Sequence, residues 1–155
     1  MRKAVENAQY RALAEFRYRI RQFLRRSDAA AQEAGLEPQQ YQMLLEIRGL
    51  APGQAATIRT LAERLFLRHH SAVELIDRLE AKGFVVRTRS SVDRRQVLVS
   101  LLPRGERLLE HVARLRLEEL RSFGLTLVEA LGALLESSGK VRRVKKRARK
   151  RKVSR

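Results

Sequence analysis

Two short stretches of this 155-residue chain concentrate side chains that could do chemistry. One is Arg68-His69-His70-Ser71 with Glu74 a turn later; the other is SSVDRRQ, with Asp93, Arg94 and Arg95 side by side. Both suit recognition better than catalysis. Arginine can bond guanine O6 and N7 in a major groove, histidine can donate to the same atoms, serine can bond either way, and glutamate can accept from cytosine N4. An arginine at a narrow tip suits the negative potential of a narrowed minor groove. An adjacent carboxylate such as Asp93 makes sense there if it turns inward and braces an arginine by a charge-assisted hydrogen bond. The bland alternatives are a solvated helix face and a surface ion pair worth under about 1 kcal/mol. The surrounding elements decide between these readings.

The charge balance favours a polyanionic partner. Formal net charge is +17, and the segment 140–155 (KVRRVKKRARKRKVSR) holds eleven of those positive charges and no acid, leaving +6 on the first 139 residues. Nucleic acid is the first candidate partner. There is no cysteine, so disulfides, thiol redox sensing and cysteine-based zinc ribbons are excluded. His69 and His70 are sequence neighbours and point to different sides of a helix, and His111 is the only other histidine, so no metal site is expected. No cofactor is expected either: there is no Gly-rich phosphate loop, and Ser71 beside His70 does not make a nucleophile–base–orienter set. An enzyme is not expected. No apolar run approaches 18 residues and no signal-peptide core opens the chain, so the expected location is cytoplasmic, at the nucleoid, with no membrane partner.

Apolar periodicity supplies the elements. Leu13, Phe16, Ile20 and Phe23/Leu24 predict one long helix over 5–34 that stops at Gly35. Pro38 opens a second helix with Tyr41, Leu44, Leu45 and Ile47 inward. Pro52-Gly53 marks a loop, Ala55–Ile58 a short strand, and Thr57 caps a third helix. After a break at Phe66–Arg68, a fourth helix buries Ala72, Leu75, Ile76 and Leu79 and stops at Gly83. FVVRTR and VLVSL alternate around SSVDRRQ, which predicts a β-hairpin. Pro103 starts a fifth helix in which Gly105 is a mild blemish. Thr126-x-x-Glu129 has the spacing of a capping box for a sixth, ending near Ser137. The tail, 139–155, reads as disordered.

Helix, helix, helix-turn-helix, hairpin and further helices make a mainly α chain with a small β-wing. In that order, LEPQQYQMLLEI, TIRTLAERLFLRHHSAVELIDRLEAKGFVVRTRS and SVDRRQVLVSLLPRGERLL resemble the MarR family of bacterial transcription regulators. The resemblance runs from about residue 10 to 137. It implies one regulator chain over 1–138: a DNA-binding lobe at 38–101, framed by dimerisation helices at 5–34 and 103–137. It also implies a homodimer on a near-palindromic operator, usually repressing, and a small, often phenolic or anionic, effector bound between lobe and dimer core. The sequence departs from the family pattern in three places: Leu102 stands where Thr or Ser would precede Pro103, Arg68 stands where a Ser or Thr N-cap would be usual, and the 16-residue basic tail is extra.

The expected DNA-binding set is therefore Arg68, His69, His70, Ser71 and Glu74 in the recognition helix, and Arg94 and Arg95 in the wing with Asp93 organising it. Thr57, Arg59 and Thr60 are expected at phosphates, Thr57 equally as a plain cap. Arg87 and Arg89 share a strand face and suit phosphate, although Arg87 could instead pair internally with Asp93. Tyr10, Arg17, Tyr41 and His111 could touch an effector or be structural, so the ligand-binding residues stay unassigned. The apolar seam (Leu13, Phe16, Ile20, Leu108, Val112, Leu115, Leu127, Leu131, Leu134) exceeds what one lobe can cover and suits a second chain. A competing reading is a charge-driven, sequence-indifferent nucleic-acid binder relying on 140–155.

Overall fold

The positions where the backbone can stop a helix set the order of the elements. The computed structural model describes residues 4–137, so the polybasic segment 139–155 and its expected disorder lie outside the described residues. The elements are α1 (Asn7–Glu33), α2 (Pro38–Gly49), α3 (Ile58–Arg64), α4 (His69–Ala81), β1 (Val85–Arg89), β2 (Val97–Leu101) and α5 (Pro103–Ser137).

The chain divides into two units, Ser27–Arg116 and a second made from the sequence on either side of it. The first is the winged lobe. Its core holds Leu36, Met43, Leu44, Leu61, Leu75, Ile76, Leu79, Val85, Val99 and Val112, all essentially inaccessible to water. The 3.6-residue spacing of Ala72, Leu75, Ile76 and Leu79 places them all on the buried face of α4. Val112, expected on a dimer seam, belongs instead to this core. The strands pair antiparallel, from Val85 opposite Leu101 to Arg89 opposite Val97. The short strand expected at 55–58 reduces to a single bridge, Thr57 to Leu98, with the Val99 N–H donating to the Ala56 carbonyl at 2.9 Å.

Three helices end in the same hydrogen-bonded turn. Leu36 donates to Ala31, Leu67 to Ala62, and Phe84 to Leu79, each from one residue beyond a left-handed position. Glycine occupies that position twice, Gly35 (φ 80°) and Gly83 (φ 69°). After α3 it is Phe66, at φ 54°. A side chain in this conformation costs about 1–2 kcal/mol relative to the right-handed region.

The second unit pairs the start of α1 with the end of α5. Phe123 and Ala130 are buried there, Phe16, Ile20 and Phe23 are half-buried, and the Arg26 guanidinium lies 4.9 Å from the Phe123 ring centre. The Gln9 side-chain amide donates to the Ser137 carbonyl at 3.1 Å. Leu117, Leu125 and Val128 stay more than 60% exposed.

Two expectations about α5 are corrected. Among the described residues there is no sixth helix: α5 runs unbroken for 35 residues. Thr126 does not cap a new helix, because its hydroxyl donates back to the Phe123 carbonyl at 2.7 Å, a bond a threonine makes inside a continuing helix. Gly105 is no blemish either. A Cβ there would stand 2.1 Å from the Phe84 carbonyl oxygen, the same oxygen that accepts from the Leu102 N–H at 2.9 Å.

Helix propensity alone would have Gly105→Ala stabilise α5 by about 1 kcal/mol. The close approach reverses the sign: we expect a loss of about 1–3 kcal/mol, read as a lower urea midpoint with an unchanged slope.

Candidate nucleic-acid interface

Thr57 starts the helix-turn-helix. Its extended backbone and side-chain oxygen cap α3, accepting from the Thr60 N–H at 3.1 Å, and the two threonine hydroxyls lie 2.9 Å apart. Thr57 is thus a cap by geometry. Arg59 next to it is highly exposed and only loosely paired, 3.4 Å from Glu63. Arg64 is tied to Glu46 of α2. Helices α3 and α4 then meet through the turn at Phe66.

α4 begins at His69, with Arg68 as its extended N-cap and no side-chain cap bond. Because Ala72, Leu75, Ile76 and Leu79 face the core, the first turn is turned outward. Arg68, His69, His70 and Glu74 are exposed, and Ser71 is half-buried. The α4 N-terminus therefore offers backbone N–H groups alongside these donors and acceptors.

The wing tip is built by side chain–backbone bonds, with neither glycine nor asparagine in the turn. Ser90 is buried, and its Oγ accepts from the Val92 and Asp93 N–H groups, both at 3.2 Å. Asp93 Oδ1 accepts from the Arg95 backbone N–H at 3.0 Å. The Ser90 N–H donates to the Gln96 carbonyl, and Gln96 donates to the Asp93 carbonyl. Asp93 thus holds a backbone amide of the turn and not a guanidinium. The Arg94 and Arg95 side chains are left exposed, beside Val92.

Arg87 does not pair with Asp93. Its guanidinium spans the gap between β1 and α4, donating to Asp77 Oδ1 at 2.5 Å, to Glu80 Oε2 at 2.7 Å and to the Val73 carbonyl at 3.2 Å. The Arg87 N–H also donates to Glu80 Oε1 at 2.9 Å. Arg89, two residues on, is exposed. Asp77 and Glu80, which the sequence reading did not single out, are the residues that hold Arg87. The usable signal was the tight stop at Gly83, which folds the strand carrying Arg87 back along the helix carrying Glu80.

Among the effector candidates, Tyr41 lies in the lobe core, and burial raises its phenol above the ordinary value of 10.0, partly offset by Arg116. Tyr10, Arg17 and His111 are exposed. Among the described residues no group of three or more His, Asp or Glu side chains could hold a metal ion.

A helix-turn-helix followed directly by a two-stranded wing defines a winged-helix protein. Residues 34–96 match the sequence profile of the MarR family. Over that stretch the chain is similar to that family. It is 34% identical over 82 residues to YsmB, an uncharacterized HTH-type transcriptional regulator of Bacillus subtilis, a match covering 53% of this chain and 56% of YsmB. The chain spans about half the length of the curated relatives it matches. In three dimensions it is similar to AbsC, a MarR family transcriptional regulator from Streptomyces coelicolor (TM-score 0.71, 18% identity, 92% of this chain and 99% of AbsC). It is also similar to a mutant of MepR from S. aureus bound to an oligodeoxyribonucleotide (TM-score 0.59, 20% identity, 86% of this chain and 93% of MepR). At these identities both likenesses speak for the fold.

Replacing Arg87 separates its roles. Arg87→Ala should cost about 1–2 kcal/mol, the net worth of charge-assisted bonds at a partly exposed site. Arg87→Lys should not restore it, because one ammonium cannot span both carboxylates and a carbonyl. Urea unfolding of the two variants, with amide hydrogen exchange along β1, reads the outcome.

Proposed function

We propose that this protein is a homodimeric, sequence-specific regulator of transcription that binds double-stranded DNA. In this reading it represses by occupying a near-palindromic operator, and a small organic or anionic ligand modulates that occupancy. The observation that carries the reading is the pairing, within one lobe, of an outward-turned α4 N-terminus with a wing tip whose two arginines are exposed. Arg68, His69, His70, Ser71 and Glu74 would read base edges in the major groove. Arg94 or Arg95 would enter the minor groove, over a turn held by Asp93. Thr57, Arg59, Thr60 and Arg89 would meet phosphate. Arg87 is better suited to holding the wing against α4 than to a phosphate contact, since both of its terminal nitrogens already donate to α4.

Three further facts support the reading. The MepR relative is bound to an oligodeoxyribonucleotide. Leu117, Leu125 and Val128 leave an apolar stripe on α5 that a second copy would cover. No described helix is long and apolar enough to cross a membrane. A cytoplasmic, nucleoid-associated location fits a regulator of this kind, and the reading assigns no catalysis and no cofactor.

The decisive test is selection from random duplexes at about 150 mM salt, run on the full chain and on a chain ending at residue 139. Both should recover a near-palindrome with half-sites about 10 bp apart. If neither enriches any sequence, and affinity follows residues 140–155 alone, a charge-driven nucleic-acid binder replaces the regulator. On the recovered site, Arg94→Ala combined with Arg95→Ala should weaken binding by about 1–3 kcal/mol; unchanged affinity would remove the wing from the interface. Leu125→Asp with Val128→Asp should shift sedimentation from dimer to monomer and weaken binding to the two-half-site duplex with it.

A further inference from the structure

We infer that Phe66 is a DNA-contacting residue, packing its ring on deoxyribose and thymine-methyl surface at the edge of the groove that α4 enters. The inference rests on the regulator reading above and adds to it a contact that is neither charged nor hydrogen-bonded.

Phe66 is unfavourable twice over in the isolated chain. Its φ of 54° belongs to the left-handed region, where glycine is the unstrained choice, and glycine is what ends α1 and α4 in the same turn. Its side chain is also 97% exposed, the most exposed of the large apolar residues among those described. Its neighbours do not share this placement: Leu65 and Leu67 both pack against the lobe core. The turn is thereby anchored on both sides, and the ring between them is held outward. Nothing in the lobe's packing repays this arrangement. Strain kept together with apolar exposure at a recognition element points to a partner that covers the ring.

The surroundings say what that partner is. Phe66 stands three residues before His69, the first residue of α4, on the approach to the end that reads bases. The exposed groups that follow it are Arg68, His69 and His70. A protein surface apolar enough to cover phenylalanine would leave these donors without acceptors. DNA offers both kinds of surface side by side: phosphates and base acceptors for the cationic groups, and sugar faces and thymine methyls for the ring.

The experiment uses the full chain and the duplex recovered by selection. Phe66→Gly and Phe66→Asn both relieve the left-handed strain and both remove the ring. Each is expected to raise Tm while weakening duplex binding about tenfold, which is about 1.4 kcal/mol. The slope of log K against log salt should stay the same, because no phosphate contact is lost. Variants that bind as tightly as the parent overturn the assignment of Phe66 and leave the regulator reading standing. A weaker affinity accompanied by a slope reduced by about one unit also overturns it, since the loss would then be a displaced cation. A parent chain that selects no duplex overturns both readings together.

Discussion

One guanidinium fixes the geometry on which the candidate interface depends. Arg87 stands on β1 and bonds to two carboxylates and a carbonyl of α4. The helix proposed to enter one groove and the hairpin proposed to enter the other are therefore held together by a planar fork with limited play. The same contact handles an electrostatic problem. Asp77 and Glu80 lie on the helix that would face a polyanion, and their charge is offset from within the lobe. A two-stranded hairpin alone is marginal in water. This one gains a bridge to Thr57, a buried Ser90 at its tip and the Arg87 fork at its base.

The base of the wing is closed by backbone rather than by side chains. The Phe84 carbonyl accepts from Leu102, and Gly105 passes so near it that no side chain fits. α5 therefore leaves the wing at an angle set by main-chain contact. The helix is one uninterrupted run of 35 residues, with Thr126 inside it. The outer half of α5 keeps Leu117, Leu125 and Val128 exposed beside the buried Phe123 and Ala130, while the inner half, through Leu109 and Val112, completes the lobe core.

Stability and recognition make different demands at the helix ends. Where a turn only has to stop a helix, as after α1 and α4, glycine supplies the left-handed residue at low cost. Where the turn leads into the proposed reading head, a phenylalanine is kept in its place. The wing tip shows a similar choice, with side-chain braces from Ser90 and Asp93 where a glycine turn would have sufficed, and with Arg94 and Arg95 left outward.

Much of this was legible in the sequence because it is local. The 3.6-residue stripe of α4, the stops at Gly35 and Gly83, the cap at Thr57 and the alternating strands around SSVDRRQ all follow from backbone rules acting over a few residues. The outward set Arg68, His69, His70 and Glu74 follows in turn from which face of α4 is apolar. What tertiary structure alone decided involves groups far apart in the chain or a choice between two locally acceptable states. Thr126 has the spacing of a cap and the capacity to sit inside a helix, and packing chose the second. Arg87 could have met phosphate or Asp93, and the fold of β1 against α4 delivered it to Asp77 and Glu80. Gly105 looked like a flaw until Phe84 came within 2.1 Å of its missing Cβ. Phe66 read as one more apolar residue in a break. Its exposure became visible only once Leu65 and Leu67 had taken the inward positions on either side, because local pattern specifies a residue's spacing and conformation, while burial is a property of everything that packs around it.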